Sequence, residues 1–269
     1  MPKTLLIYFV LICFAVFFSC RKVNFGNISS PPPLPPSEEN NKNVVIEKIK
    51  SSKKIKIACE GTSLTYGQDI NGTDTVPPGF LNGPTRAIDR YPATMLKVIN
   101  APFVTLSVRG YPGDRTTEGL VRWKDSTQAD ICIIEYGTND AYNYAGYASG
   151  PVDTVTYKSQ LTQLVQRRIN QGAWVILCLS PYLENGDLKI NSYRATADSV
   201  AAKFNLDTFD VELSVKGLAP GIVPYSDNVH FNSTGYANWG TLIANVIADA
   251  VHPFRRPQLD TIPRIRAHA

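Results

Sequence analysis

Apolar residues recur along the chain in five short runs. They are KIKIAC (Lys54–Cys59), FVTLSV (Phe103–Val108), ADICIIEY (Ala129–Tyr136), AWVILCLS (Ala173–Ser180) and a weaker NLDTFDV (Asn205–Val211). The first four are largely apolar, as strands buried on both faces are. Between them the pattern changes to helical spacing. YPATMLKVI precedes the second run, TTEGLVRW follows it, and NSYRATADSVAAKF precedes the fifth. DTVTYKSQLTQLVQRRINQG precedes the fourth, with Leu161, Leu164, Val165 and Ile169 on one face and Gly172 at its end. STGYANWGTLIANVIADAV closes the series. Strand and helix alternate, which predicts an α/β fold with a doubly wound, five-stranded parallel sheet. Residues Gln68–Arg90, rich in Gly, Pro, Asn and Asp, read as a long surface insertion after the first strand.

The amino-terminal residues do not share this rhythm. A basic start is followed by TLLIYFVLICFAVFF and then Ser19-Cys20. This is the make-up of an export signal over residues 1–20, too short for the roughly 20 apolar residues of a spanning helix. Its Ser-Cys end resembles a bacterial lipoprotein signal with Cys20 as the lipidated residue, although Phe17 stands where Leu is usual. A plain secretory signal or an uncleaved anchor has the same composition. Residues 21–52, with SSPPPLPPSEENNKN, read as a disordered Pro/Ser/Asn-rich tether, whose last part, VVIEKIK, is apolar enough to pack on a folded domain. That domain is then expected over 53–252, with a carboxyl-terminal tail over 253–269. The implied location is the bacterial cell envelope, with the domain held at a membrane by a lipid.

Bulk properties narrow the chemistry. The 269 residues suffice for one large domain, and 43% hydrophobic with 19% charged is ordinary for a globular protein. A net charge of +4 without a Lys/Arg block argues against nucleic acid. Three histidines, His230, His252 and His268, leave little room for a multi-His metal site. Of the five cysteines, Cys59, Cys132 and Cys178 sit in apolar runs with no CxxC spacing, and are expected to be buried free thiols. No metal and no cofactor are expected.

Ligands of open parallel sheets bind beyond the carboxyl ends of the strands. Those ends carry EGTS, RGYPGDRT and GTND, and YSDNVHFN follows the fifth strand. Asp227 and His230, three apart, can meet across a turn, so that the carboxylate fixes the imidazole and leaves its other nitrogen free to take a proton. Ser63 is a hydroxyl for such a base to activate, on the same rim. Gly113 offers an unobstructed backbone N–H, Asn139 a side-chain amide and Ser63 its own N–H, three donors for a developing oxyanion. Each has an ordinary alternative: Ser63 or Asn139 as a helix cap, Gly113 as a turn glycine, Asp227 and His230 as surface residues.

Ser, Gly, Asn and His in this chain order resemble the four blocks of the SGNH, or GDSL-type, hydrolases. EGTSLTYG resembles the first block, PGDRTTEGLVRW the second, YGTND the third and SDNVHFNSTGYANWG the last, covering about Lys53 to Val251. The resemblance implies a flavodoxin-like three-layer α/β/α sandwich and ester hydrolysis without a cofactor. It implies Ser63 as nucleophile, Asp227 and His230 as its partners, and Ser63, Gly113 and Asn139 as the oxyanion hole. Gly110 is a rival to Gly113, but the Gly-Asp after Pro112 fits the second block better. The usual Gly-Asp-Ser is here Gly61-Thr62-Ser63, so any charge role of that Asp is expected to be missing. The α/β-hydrolase elbow G-x-S-x-G does not surround Ser63.

The expected activity is a serine esterase, with carbohydrate O-acetyl esters favoured on location. Lysophospholipase or thioesterase action on lipid esters, acyl transfer to an alcohol, and a catalytically silent glycan-binding lipoprotein are the rivals. Tyr66, Tyr111, Tyr136, Tyr142, Tyr144, Tyr147 and Tyr225 supply aromatic rings that suit sugars, or merely packing.

Overall fold

The computed structural model describes residues 37–73 and 85–251. The expected signal, Cys20, residues 21–36 of the expected tether, residues 74–84 of the Gln68–Arg90 segment and the expected tail lie outside the described residues.

The five strands are β1 (Ile55–Gly61), β2 (Val104–Gly110), β3 (Ile131–Glu135), β4 (Trp174–Leu179) and β5 (Asp207–Asp210). They pair in the order β2-β1-β3-β4-β5, every pair parallel. The order reverses at β1, which is where a doubly wound sheet opens a crevice for ligands. Along β1, Ile55, Ile57 and Cys59 join one core cluster while Ala58 joins the other. This period of two, repeated in β3 and β4, gives the sheet two apolar faces to cover.

The first face is covered by α1 (Glu38–Lys50), α3 (Tyr91–Ile99), α8 (Val211–Lys216) and α9 (Ser233–Val251). The second is covered by α4 (Thr116–Arg122), α6 (Thr154–Asn170) and α7 (Asn191–Phe204). In α6 the Asp153 carboxylate accepts from the N–H groups of Val155 and Thr156, satisfying donors that a helix start leaves open. Leu161, Leu164, Val165 and Ile169 are then buried, as their spacing predicts, each side chain contributing roughly 1.5–3 kcal/mol. Two short helices, α2 (Ser63–Tyr66) and α5 (Thr138–Tyr142), follow β1 and β3 directly. The result is a three-layer α/β/α fold with a five-stranded parallel sheet. Cys59, Cys132 and Cys178 are free and buried.

Two expectations need correction. The disordered tether does not extend to residue 52, because Glu38–Lys50 forms α1 and packs on the sheet. The reason is mostly polar. Asn41 Nδ2 donates to the carbonyls of Ile169 and Ala173, and the Glu38 carboxylate accepts from Val175 N–H. Lys42 and Lys48 pair with Asp207 and Asp130, and Val45 is the one apolar residue of α1 that is fully buried. Nor is β2 buried on both faces. It is the edge strand, with Thr105 and Val108 exposed while Leu106 packs on the core.

Candidate active site

Gly61, Gly110 and Glu135 are register partners at the carboxyl edge of the sheet. β1 leaves that edge into a turn in which Thr62, not Ser63, is the helix cap: Thr62 Oγ1 accepts from Leu64 N–H at 3.2 Å. Ser63 is thus the first residue of α2, with 6% of its surface exposed.

The His230 segment is built from a different set of contacts. Asp227 Oδ1 accepts from the N–H groups of both Val229 and His230 at 2.7 Å, closing a tight turn. His230 O accepts from Ser226 N–H, and Asn228 joins the turn to the loop after β4 through Glu184 N–H and Asn185 N–H. The next residue, Phe231, is wholly buried among Tyr225, Tyr236 and Trp239. Asn232 Oδ1 then accepts from the N–H groups of Thr234 and Gly235 at the start of α9. His230 is therefore held between a carboxylate turn and an aromatic anchor.

These two segments converge. His230 Nε2 is 2.9 Å from Ser63 Oγ, and His230 Nδ1 is 2.8 Å from Asp227 Oδ2. Burial pushes the Asp227 carboxyl up, but hydrogen bonds from the His230 ring and from the His230 and Val229 N–H groups outweigh it and hold it below the usual carboxylate range. An ionised Asp227 can only accept, so Nδ1 carries the ring hydrogen and Nε2 is the acceptor for the Ser63 hydroxyl. A hydroxyl, an imidazole and a carboxylate in this order can remove the serine proton as the oxygen attacks an electrophile.

The two further donor candidates also meet. Tyr111 to Asp114 form a turn closed by Asp114 N–H to Tyr111 O at 3.1 Å. Pro112 and Gly113 occupy its centre, with Gly113 at φ +84°, the pattern of a type II turn. A Cβ on Gly113 would also lie 2.9 Å from the Ala145 methyl. Asn139, in α5, donates through Nδ2 to Asp114 O at 3.0 Å, which ties the Gly113 turn to the end of β3. That bond uses one of the two amide hydrogens. The rival Gly110 has another use: its backbone lies against α2, where a Cβ would collide with the backbone nitrogen of Tyr66.

Several buried groups around these residues were not anticipated. Asp114 is fully buried and takes a two-pronged bond from Arg122, at 2.7 and 3.0 Å. Asp140, next to Asn139, accepts from Thr116 N–H at 3.0 Å and from the Thr116 hydroxyl at 2.5 Å, and burial pushes its carboxyl up to about 7. Glu135, wholly buried, accepts from the Thr62 hydroxyl at 2.7 Å. An acid side chain is therefore present at the Ser63 turn, although Thr62 stands where the resembled motif has Asp. The available signal was an acid ending an otherwise apolar strand, since unpaired acids are almost never fully buried. Of the tyrosines, Tyr66 and Tyr136 are core residues, whereas Tyr144 is half exposed and stacks with Tyr142 at 5.5 Å.

Comparison with known proteins gives a consistent picture. The model of the GDSL-like lipase/acylhydrolase family matches residues 59–237. No curated protein sequence matches the chain. Among solved structures, LAE5, an alpha/beta hydrolase from the metagenome of Lake Arreo in Spain, is 21% identical, with a TM-score of 0.55 over 76% of this chain and 98% of its own. The acetyl xylan esterase AlAXEase is 18% identical, with a TM-score of 0.55 over 73% of this chain and 100% of its own. A catalytic mutant of Axe2, an acetylxylan esterase from Geobacillus stearothermophilus, is 17% identical, with a TM-score of 0.56 over 77% and 98%. At these identities the likeness is one of fold.

Proposed function

The chain belongs to the GDSL-like lipase/acylhydrolase family, and from that premise we propose that this ester hydrolase works through an acyl-enzyme on Ser63 and removes O-acetyl groups from carbohydrate. The single observation that carries the mechanism is the relay from Ser63 Oγ through His230 to Asp227, at 2.9 and 2.8 Å.

In the first half-reaction, His230 Nε2 takes the Ser63 proton as Oγ attacks the ester carbonyl carbon. The oxyanion so formed accepts from Ser63 N–H, Gly113 N–H and the Asn139 amide. Asp227 stabilises the imidazolium, which then gives its proton to the leaving alcohol as the carbonyl re-forms. In the second half, His230 deprotonates water, water attacks the acyl carbon, and the proton returns to Ser63 as the acid departs.

Two observations support an acetylated carbohydrate as substrate. Structural relatives include proteins described as acetyl xylan esterases, and the half-exposed Tyr144, stacked on Tyr142, is an aromatic surface of the kind sugars pack against. Lipid anchoring at Cys20, with the domain exported to the cell envelope, remains part of the proposal. The test of substrate class compares turnover of acetylated xylo-oligosaccharides with that of p-nitrophenyl esters of rising acyl length. Acetyl sugars and p-nitrophenyl acetate are expected to be cleaved, with kcat/KM falling as the acyl chain lengthens. Preference for long acyl chains would replace the carbohydrate reading with a lipid one.

A further inference from the structure

β3 is apolar until its last residue. Ile131, Cys132, Ile133 and Ile134 are fully buried, and so is Glu135. Among the described residues no cation pairs with Glu135. Hydroxyls surround it instead: Thr62 Oγ1 donates at 2.7 Å, Ser180 Oγ lies at 3.2 Å with its one hydrogen shared with the Tyr136 carbonyl at 3.0 Å, and Thr65 also bears on it, while Thr62 N–H lies at 3.4 Å. An unpaired carboxylate this deep is costly to solvate, and burial accordingly raises its proton affinity while these donors pull it back.

The position of this group is informative. Thr62 Oγ1 accepts from Leu64 N–H and gives its own hydrogen to Glu135, so both capacities of the hydroxyl are engaged. That fixes the cap of α2, and the next residue is Ser63, whose Oγ faces His230 Nε2. We propose that Glu135 is a positioning residue for Ser63: from the end of β3 it holds the Thr62 hydroxyl and so sets the turn that aims the serine, supplying from a neighbouring strand the carboxylate that the related motif carries at position 62. An Asp at position 62 would bring a second carboxylate to hydrogen-bond distance of Glu135, and two such groups cannot both ionise.

This inference rests on Ser63 being the nucleophile, and the experiment separates the two. Steady-state kinetics on p-nitrophenyl acetate, with melting temperatures, are measured for Ser63→Ala, Glu135→Gln, Thr62→Val, Thr62→Ser, Thr62→Asp and the double variant Thr62→Asp/Glu135→Gln. Thr62→Val removes the hydrogen bond outright, while Glu135→Gln keeps one acceptor but turns an NH₂ against the surrounding donors, so both predict a fall in kcat of about 10- to 10²-fold at near-constant KM. Thr62→Ser restores what Thr62→Val loses. Thr62→Asp is the least active of the position-62 variants, and adding Glu135→Gln recovers at least tenfold in kcat. A residue that merely stabilised the fold would change melting temperature without this kcat split or this rescue. Wild-type kcat in Glu135→Gln, or no recovery in the double variant, overturns the proposal. If Thr62→Asp does not fold, the Glu135→Gln, Thr62→Val and Thr62→Ser comparison decides it alone. Activity in Ser63→Ala sinks the nucleophile reading and this one together, whereas an inactive Ser63→Ala beside a normal Glu135→Gln sinks only this one.

Discussion

His230 Nε2 lies 2.9 Å from the Ser63 hydroxyl although 167 positions separate the two residues in the chain. β1 delivers one, the aromatic-anchored loop before α9 delivers the other, and nothing local in either segment reveals the contact. Replacing Asp227 by Asn keeps the shape but lets the ring adopt the wrong tautomer. A fall in kcat of about 10⁴-fold on p-nitrophenyl acetate is expected, with a lower melting temperature at neutral pH, because the depressed carboxyl stabilises the fold when ionised.

Asn139, in α5, is the proposed side-chain donor to the oxyanion. Asn139→Ala removes one oxyanion donor, so kcat falls by roughly 10²–10³-fold while KM changes little. A loss confined to KM would assign Asn139 to substrate binding alone.

Gly113 is held at φ +84° and is backed by Ala145. A Gly113→Ala side chain is forced into left-handed backbone at a cost of about 1–2 kcal/mol, read as a melting temperature about 2–8 °C lower. Because the turn also carries a candidate donor N–H, kcat falls with it. A variant stable and active as wild type would mean that the turn has room and the N–H no role.

Stability should depend on pH through Glu38. Burial, helped by the Asp207 charge, raises its carboxyl from 4.5 to about 8. The folded state therefore binds this proton more tightly than the unfolded one. The corresponding stability is complete below pH 4.5 and is lost as pH rises through 8. Glu38→Gln keeps the acceptor for Val175 N–H and removes the titration, so its melting temperature gains on wild type as pH climbs from 5 to 9. Parallel curves across that range would refute the assignment.

The alternation of apolar runs and helical spacing made the sheet and five of its helices readable, because those segments bury side chains at the periods of strand and helix. α1 escaped because EENNKNVVIEKIK has little apolar period and docks through Glu38, Asn41 and its lysines. The edge position of β2 is a property of strand order, not of its own residues. Ser63, Asp227 and His230 were readable as partners because Ser63 follows a strand end and the Asp-x-x-His pair closes the domain, while the donor roles of Gly113 and Asn139 belong to the proposal. Glu135 as the partner of Thr62 was not, for it depends on the register of β1 against β3.

The most direct measurement is covalent labelling by a fluorophosphonate, followed by mass spectrometry of the intact chain and its peptides. The expected result is one adduct, on Ser63, absent in Ser63→Ala and strongly slowed in His230→Ala. Ester hydrolysis that persists in Ser63→Ala, or an adduct mapped to another residue, would contradict the account.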